Sequence, residues 1–163
     1  MHVLTTLNLD SSTVVLRRAE PGDLSAIVDL LAADQLGTAR DGVRTDADLQ
    51  AYLRAFGEID RDPAHVLVVA EAAARVVGTM QLSYIPGLAR RGAFRAQIEA
   101  VRVHQDYRGR GLGHAMLTWA ISQARQRGCA LVQLTTDKSR ADAHRFYERL
   151  GFTASHEGMK LSL

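Results

Sequence analysis

Cysteine is almost absent from this chain. Cys129 is the one thiol in 163 residues, which excludes an internal disulfide framework and a cysteine-rich metal site. Proline occurs 3 times, too rarely for a collagen-like or low-complexity segment. No stretch approaches the ~18 consecutive apolar residues of a membrane-spanning helix. The opening MHVLTTLNLDSS has neither a basic start nor a long apolar core, so it does not read as a secretory signal. These absences point to a soluble cytoplasmic protein with no membrane partner. His65, His104, His114 and His144 are scattered without ligand spacing, so no metal site is expected.

Lysine is scarce too. Lys138 and Lys160 are the only two among 20 basic residues, the others being Arg. The net charge of +2 is too small to argue for nucleic acid. It hides an asymmetry. Residues 1–62 carry 11 acidic against 6 basic side chains, a net of −5, and residues 63–163 carry 7 against 14, a net of +7. A polyanion site therefore belongs in the second part. The remaining composition, 47% hydrophobic and 23% charged, is that of a globular protein, and the length fits one domain over residues 1–163. Residues 1–12 read as a loose leader.

Periodicity places the elements. Thr13–Ala19 is a short β-branched strand. Pro21 and Asp23 open a helix over 22–36, with Leu24, Ile27, Val28, Leu30 and Leu31 at helical spacing. The polar stretch Gly37–Arg44 is a loop. Thr45 and Asp46 offer an N-cap to a second helix carrying Leu49, Tyr52, Leu53 and Phe56. His65–Ala70 and Val76–Ile85 read as a hairpin, and Gln97–Val103 as a further strand. Leu112–Arg125 is an amphipathic helix stopped by Gly128, Ala130–Thr135 a strand, Ala141–Leu150 a helix, and Phe152–Leu161 a final strand. The sum is a mixed sheet with helices, an α/β or α+β class.

Three segments carry chemistry. Arg108-Gly109-Arg110-Gly111-Leu112-Gly113 lies between a strand and a helix. Its alternating glycines allow a tight turn whose N–H groups point at one spot, beside a helix N-terminus that favours anions. That describes a phosphate or pyrophosphate cradle. A P-loop would need Gly-Lys-Ser/Thr where this chain has Gly-His-Ala, and the dinucleotide fingerprint would need GxGxxG in an opening βαβ unit. In the strand before it, apolar Ile98 and Ala100 share one phase, and Val101 and Val103 continue on the other. Such a slip marks a β-bulge between Ala100 and Val101. Glu99 sits beside it, where a carboxylate in an apolar strand must be paired or functional. The third segment, His144 to Phe152, holds Tyr147, whose hydroxyl suits a proton donor. Arg90, Arg91 and Arg95 form a basic loop able to meet an anionic group. Cys129 reads as a small buried residue.

Ile98–Gly113 followed by Phe146-Tyr147-Glu148-Arg149-Leu150-Gly151-Phe152 closely resembles the GNAT superfamily of acyl-CoA-dependent N-acetyltransferases. The cofactor motif Arg/Gln-x-x-Gly-x-Gly/Ala is matched at Arg108, Gly111 and Gly113, and the element order over residues 13–161 is similar. The resemblance implies a central, mostly antiparallel mixed sheet, splayed at the bulge and flanked by about four helices. It implies acetyl-CoA as the acetyl donor, and acetyl transfer to a primary amine of a small molecule by direct attack in a ternary complex. Residues Arg108, Gly109, Arg110, Gly111, Leu112, Gly113 and His114 would hold the pyrophosphate. The splayed strand at Val101, Arg102 and Val103 would receive the pantetheine arm, and the N–H near Val101 would polarise the thioester carbonyl. Tyr147 would protonate the departing thiolate, and Glu99 would act as base directly or through water.

One departure stands out: many relatives carry Asn seven residues before the Tyr, where this chain has Arg140. The acceptor pocket is expected between the first two helices (22–59) and the 85–95 loop. Asp34, Asp41, Asp46 and Asp48 suit a cationic acceptor, whereas the loop arginines suit a carboxylate-bearing one. A protein or peptide acceptor, or a non-catalytic acyl-CoA sensor, are the alternative functions. Many relatives pair through late strands, so a homodimer is compatible with the resemblance.

Overall fold

The apolar runs pair in chain order into a six-stranded sheet. The computed structural model describes residues 2–9, 12–33 and 40–162. Its strands are β1 (Val3–Leu9), β2 (Ser12–Arg18), β3 (His65–Ala72), β4 (Arg75–Ile85), β5 (Arg95–Val103) and β6 (Leu131–Leu134). Each of the first five runs antiparallel to its neighbour. β6 is parallel to β5 and is reached by a helical crossover, as parallel pairing requires. The helices are α1 (Leu24–Ala32), entered through a 3₁₀ turn at Pro21–Asp23, α2 (Asp46–Arg61), α3 (Leu112–Gln126) and α4 (Ala141–Arg149). This is the mixed sheet and helix set that the periodicity predicts.

Two departures concern the chain ends. The stretch read as a loose leader contains β1, which pairs along β2 from Val3 to Leu9. Leu4, Leu7 and Leu9 pack against the core, so three leucines hold a strand that its Thr and Asn residues disguise. Conversely, the expected strand over Phe152–Leu161 is absent: the described residues beyond Gly151 form no strand. That segment has apolar side chains mainly at its two ends, with Ser155, His156, Glu157 and Gly158 breaking the alternation between them.

One face of the sheet receives α3. Leu112, Met116, Leu117 and Ala120 are fully buried against Val68, Met80, Leu82 and Ile98. Each such Leu or Met contributes roughly 1.5–3 kcal/mol through burial. Gly78 permits this approach. A Cβ there would lie 3.1 Å from the Arg102 carbonyl oxygen and 3.2 Å from the Met116 sulfur. The opposite face clusters Val69 with Leu24, Ile27 and Val28 of α1 and Phe56 of α2. In α2 the predicted apolar stripe is only partly covered, since Leu49 and Leu53 remain exposed. A Thr45–Asp48 capping box starts that helix, with Asp48 Oδ2 accepting from the Thr45 N–H at 2.9 Å.

Arg17 of β2 is buried and ties three segments together. Its Nη1 and Nη2 donate to the Asp23 carboxylate at 2.6 and 2.8 Å, and its Nε donates to Glu71 of β3 at 2.8 Å. Asp23 also accepts from the Glu20 N–H at 2.7 Å. Burial alone would push the Asp23 carboxyl up, but these donors outweigh it and hold it below its ordinary value. β5 carries the bulge that the phase slip predicts. Thr79 faces Arg102 while Gln81 faces Glu99, so β5 holds one residue more than β4 across this step. Ala100 takes up the turn at φ 54°.

We expect Asp23→Ala to cost about 3–5 kcal/mol in urea unfolding, because it leaves the Arg17 cation buried without its main partner. With the folded-state carboxyl depressed, the stabilisation by Asp23 is complete above its ordinary value and lost as pH falls through the lower folded one. The gap between wild type and variant should therefore close in acid; a gap that persists unchanged at pH 2 would show that ionisation is not its source. At the bulge, Ala100→Val should destabilise by about 1–2 kcal/mol, since a β-branched residue is strained at positive φ. Ala100→Gly should stay within ~1 kcal/mol of wild type in the same assay.

Candidate active site

The bulge divides β5 into two stretches. Before it, Arg95–Ile98 pair in parallel with Leu131–Leu134 of β6. Beyond it, Arg102 and Val103 pair with β4, and their other edge meets no strand among the described residues. The two strands thus separate where the extra residue sits. Two arginines reach the freed edge: Arg102 Nη1 donates to the Val101 carbonyl at 2.9 Å, and Arg108 Nε to the Val103 carbonyl at 3.1 Å.

The cradle follows a 3₁₀ turn, Gln105–Tyr107, capped by His104, whose Nδ1 accepts from the Asp106 N–H at 3.3 Å. Gly109 and Gly111 adopt φ of 72° and 80°, left-handed values that let the chain fold back into α3. A Cβ at either would meet nothing within 4 Å, so open space lies over this turn. The first-turn N–H groups of Leu112, Gly113 and His114 have no acceptor within the helix and face its N-terminus. The Arg110 guanidinium sits 5.8 Å above the Tyr107 ring, which holds its charge at the mouth of the cradle. Space, donors and positive charge together fit a bound pyrophosphate such as that of coenzyme A.

α4 packs beside the cradle. A Cβ on Gly113 would stand 3.6 Å from the Phe146 ring and 3.7 Å from Val103. Phe146 and Phe152 meet Tyr147 edge-on at centroid distances of 5.2 and 5.9 Å, which fixes the phenol between them. Burial pushes the Tyr147 hydroxyl up from its ordinary value; Arg140 and Arg102 pull it back only in part. The phenol therefore keeps its proton at neutral pH. The loop before α4 braces itself. Asp137 accepts from the Ser139 N–H at 2.9 Å and from its hydroxyl at 2.6 Å, and His144 Nε2 lies 3.0 Å from the Asp137 carbonyl. Asp142 pairs with Arg145 on the helix surface.

Tyr147 and Glu99 line one cleft of about 1320 Å³, together with Ala100, Arg102 and Arg140. Glu99 is exposed and makes no hydrogen bond or ion pair among the described residues, so the expected burial cost does not arise. The strand's alternation had suggested an enclosed carboxylate; the strand separation opens it to the cleft instead. Val101, Val103 and the cradle residues are brought to the bulged end of β5, as their order implies. The anticipated acceptor walls are only half correct. Ala89 and Arg90 of the 85–95 loop border the cleft, whereas the side chains of α1 and α2 do not. Asp48 is occupied in the α2 cap, and Asp34 lies outside the described residues.

Cys129 is half-buried, and burial raises its thiol, which leaves it a poor nucleophile. Among the described residues no three His, Cys, Asp or Glu side chains converge on a metal position. No described helix is long and apolar enough to cross a membrane. Sequence reasoning missed the cleft floor. Arg95, Gln97 and Glu99 alternate along one face of β5, and Gln133 Nε2 donates to Gln97 Oε1 at 2.7 Å across to β6. The period-2 pattern Arg-x-Gln-x-Glu was the available signal.

Residues 26–152 match the family described as Acetyltransferase (GNAT) family. A glucosamine 6-phosphate N-acetyltransferase from Trypanosoma brucei brucei is 32% identical over 148 residues, 91% of this chain and 95% of that protein. An aminoalkylphosphonate N-acetyltransferase from Salmonella typhimurium is 32% identical over 114 residues, 70% of this chain and 73% of that one. A solved structure from Bacillus halodurans C-125, described as a transcriptional regulator, shares 47% identity and a TM-score of 0.87, covering 92% of this chain and 99% of its own. With its matched family, its full-length relatives and its splayed sheet, the chain belongs to the GNAT family and is an acetyl-CoA-dependent N-acetyltransferase.

Proposed function

We propose that this enzyme acetylates the primary amine of a small molecule by direct attack while acetyl-CoA and acceptor are bound together. The observation that carries the reading is the bulge at Ala100, which leaves the edge of β5 open between the cradle and Tyr147. The two relatives named above take acceptors that are themselves small amines.

Acetyl-CoA would supply an activated thioester carbonyl. The N–H groups of residues 108–114 would hold its pyrophosphate, and the edge at Val101–Val103 would receive its pantetheine arm as an added strand. For that pairing, Arg102 and Arg108 must release the two carbonyls they now hold, or the arm must use the N–H groups alone. An N–H near Val101 would stabilise charge on the carbonyl oxygen. The acceptor arrives as an ammonium ion and must lose a proton before its nitrogen can form the new C–N bond. Glu99, open to the cleft and unpaired, would take that proton directly or through water. As the C–S bond breaks, Tyr147 would donate its proton to the sulfur. The raised Cys129 thiol argues against a route through an acetylated cysteine.

A second reading is favoured by one comparison. The Bacillus halodurans relative is described as a transcriptional regulator, which suits a non-catalytic acyl-CoA sensor. Acetyl-CoA should raise Tm in either case, by the equivalent of about 2.7 kcal/mol at a hundred times its Kd. Acceptor-dependent CoA release over an amine panel separates the two readings, and its absence with every amine would favour the sensor. Tyr147→Phe should lower kcat by roughly 10²–10⁴-fold and leave the acetyl-CoA-induced Tm rise intact. An unchanged kcat would remove Tyr147 as the acid.

A further inference from the structure

Arg95 begins β5, at the end of the cleft opposite the bulge. Its Nε is buried and has no hydrogen-bond partner, and the guanidinium makes no ion pair among the described residues. A buried guanidinium N–H without an acceptor is uncommon and calls for a ligand or solvent partner. The group is nonetheless held in place. Its Nη1 would lie 3.5 Å from a Cβ on Gly87, so it rests against the backbone of the 86–94 loop. Arg90 borders the cleft from the same loop. Arg90 and Arg91 are consecutive residues at φ of 54° and 62°, a left-handed turn that costs non-glycine residues energy and is more often retained at ligand clamps than elsewhere. The carboxylates that share the cleft do not neutralise this end. Glu157 is paired to Lys138 at 2.5 Å, Asp137 is tied to Ser139, and Glu99 lies four residues along the strand.

Position decides what the arginine serves. The pyrophosphate cradle begins after Val103, eight strand residues from Arg95, or about 26 Å at ~3.3 Å per residue. An anion at Arg95 therefore belongs to the second substrate and not to the cofactor's diphosphate. Glu99 lies on the same face as Arg95, about 13 Å along the backbone. The two flexible stems shorten that span to the length of a small bifunctional molecule. Gln97, bridged to Gln133, forms the floor between them.

We propose that Arg95 is an acceptor-specificity residue. It would bind a tetrahedral or planar oxyanion (phosphate, phosphonate or carboxylate) carried by the amine substrate, with Arg90 adding charge. The preferred acceptor is then a small anionic amine, oriented with its amino group at Glu99 and its anion at Arg95. A guanidinium fork suits such groups because it donates two parallel N–H bonds. This rests on the transferase reading above, and the test separates the two.

Two matched pairs serve as probes: glucosamine 6-phosphate with glucosamine, and 2-aminoethylphosphonate with propylamine. Acetyl transfer is followed by CoA release, and binding to the CoA-loaded protein by calorimetry. The anionic member of at least one pair should show a kcat/KM tenfold or more above its neutral partner. Arg95→Gln should erase that preference through KM, Arg95→Lys should restore part of it, and the acetyl-CoA-induced Tm rise should persist in both. Equal or better use of the neutral amines, or an anion preference that survives Arg95→Gln, overturns the proposal. If no amine is acetylated but an anionic probe alone binds, and Arg95→Gln abolishes that binding, the oxyanion site stands and the transferase reading fails. If no anionic probe is acetylated or bound, the oxyanion site is wrong.

Discussion

The site depends on one extra residue in β5. Ala100 turns through a left-handed φ of 54°, and the strand leaves its parallel partner after four paired positions. Without the bulge β5 would continue alongside β6, and its backbone groups would be consumed by the ladder. With it, three features meet at one opening: a free strand edge, the N-terminus of α3 and the face of α4. The strain at Ala100 survives because both flanks are over-determined. Arg95–Ile98 are locked between two strands, and Arg102 and Val103 pair with β4, where Gly78 lets Met116 press close behind. Local strain of one or two kcal/mol is small beside the burial of α3.

Charge is divided by the same geometry. The acidic first part has its carboxylates spent on structure: Asp23 binds Arg17, and Asp48 caps α2. The basic second part places Arg90, Arg95, Arg102 and Arg140 around the cleft and Arg110 at the cradle. A net +7 in residues 63–163 is thus a property of a surface built to meet anions, not a diffuse field. Aggregate charge reports none of this, because the two parts cancel.

The bulge and the cradle were legible in the sequence for a physical reason. A bulge must shift the side-chain phase of its strand, and the slip between Ala100 and Val101 records that. A backbone cradle needs positive φ, and glycine at 109 and 111 supplies it. What was not legible depended on distant partners. β1 owes its pairing to β2 and to a core edge that receives three leucines, which no local pattern of Thr and Asn announces. The segment after Gly151 was read as a strand, yet its own residues do not favour one. Arg95 was read with a basic loop; the structure moves it into the strand by two residues and so onto the face that carries Glu99. Boundary shifts of that size are ordinary, but in a strand each single step exchanges one face for the other.

Tyr147 shows how the surroundings of a proton donor are balanced. A phenol that is to protonate a thiolate must hold its proton until sulfur departs, so its environment must disfavour the phenolate. Phe146, Phe152 and the half-buried position do so by removing water. Complete removal would leave the phenolate formed after transfer too unfavourable for the step to proceed. Arg140 and Arg102 offset the burial in part, and both border the cleft. Arg140 stands where many relatives carry an uncharged amide. At that place a guanidinium contributes a long-range field that an amide cannot, lowering the cost of the anionic phenolate without needing to touch it. The substitution is therefore better understood as a change in how the acid is tuned than as the loss of a contact.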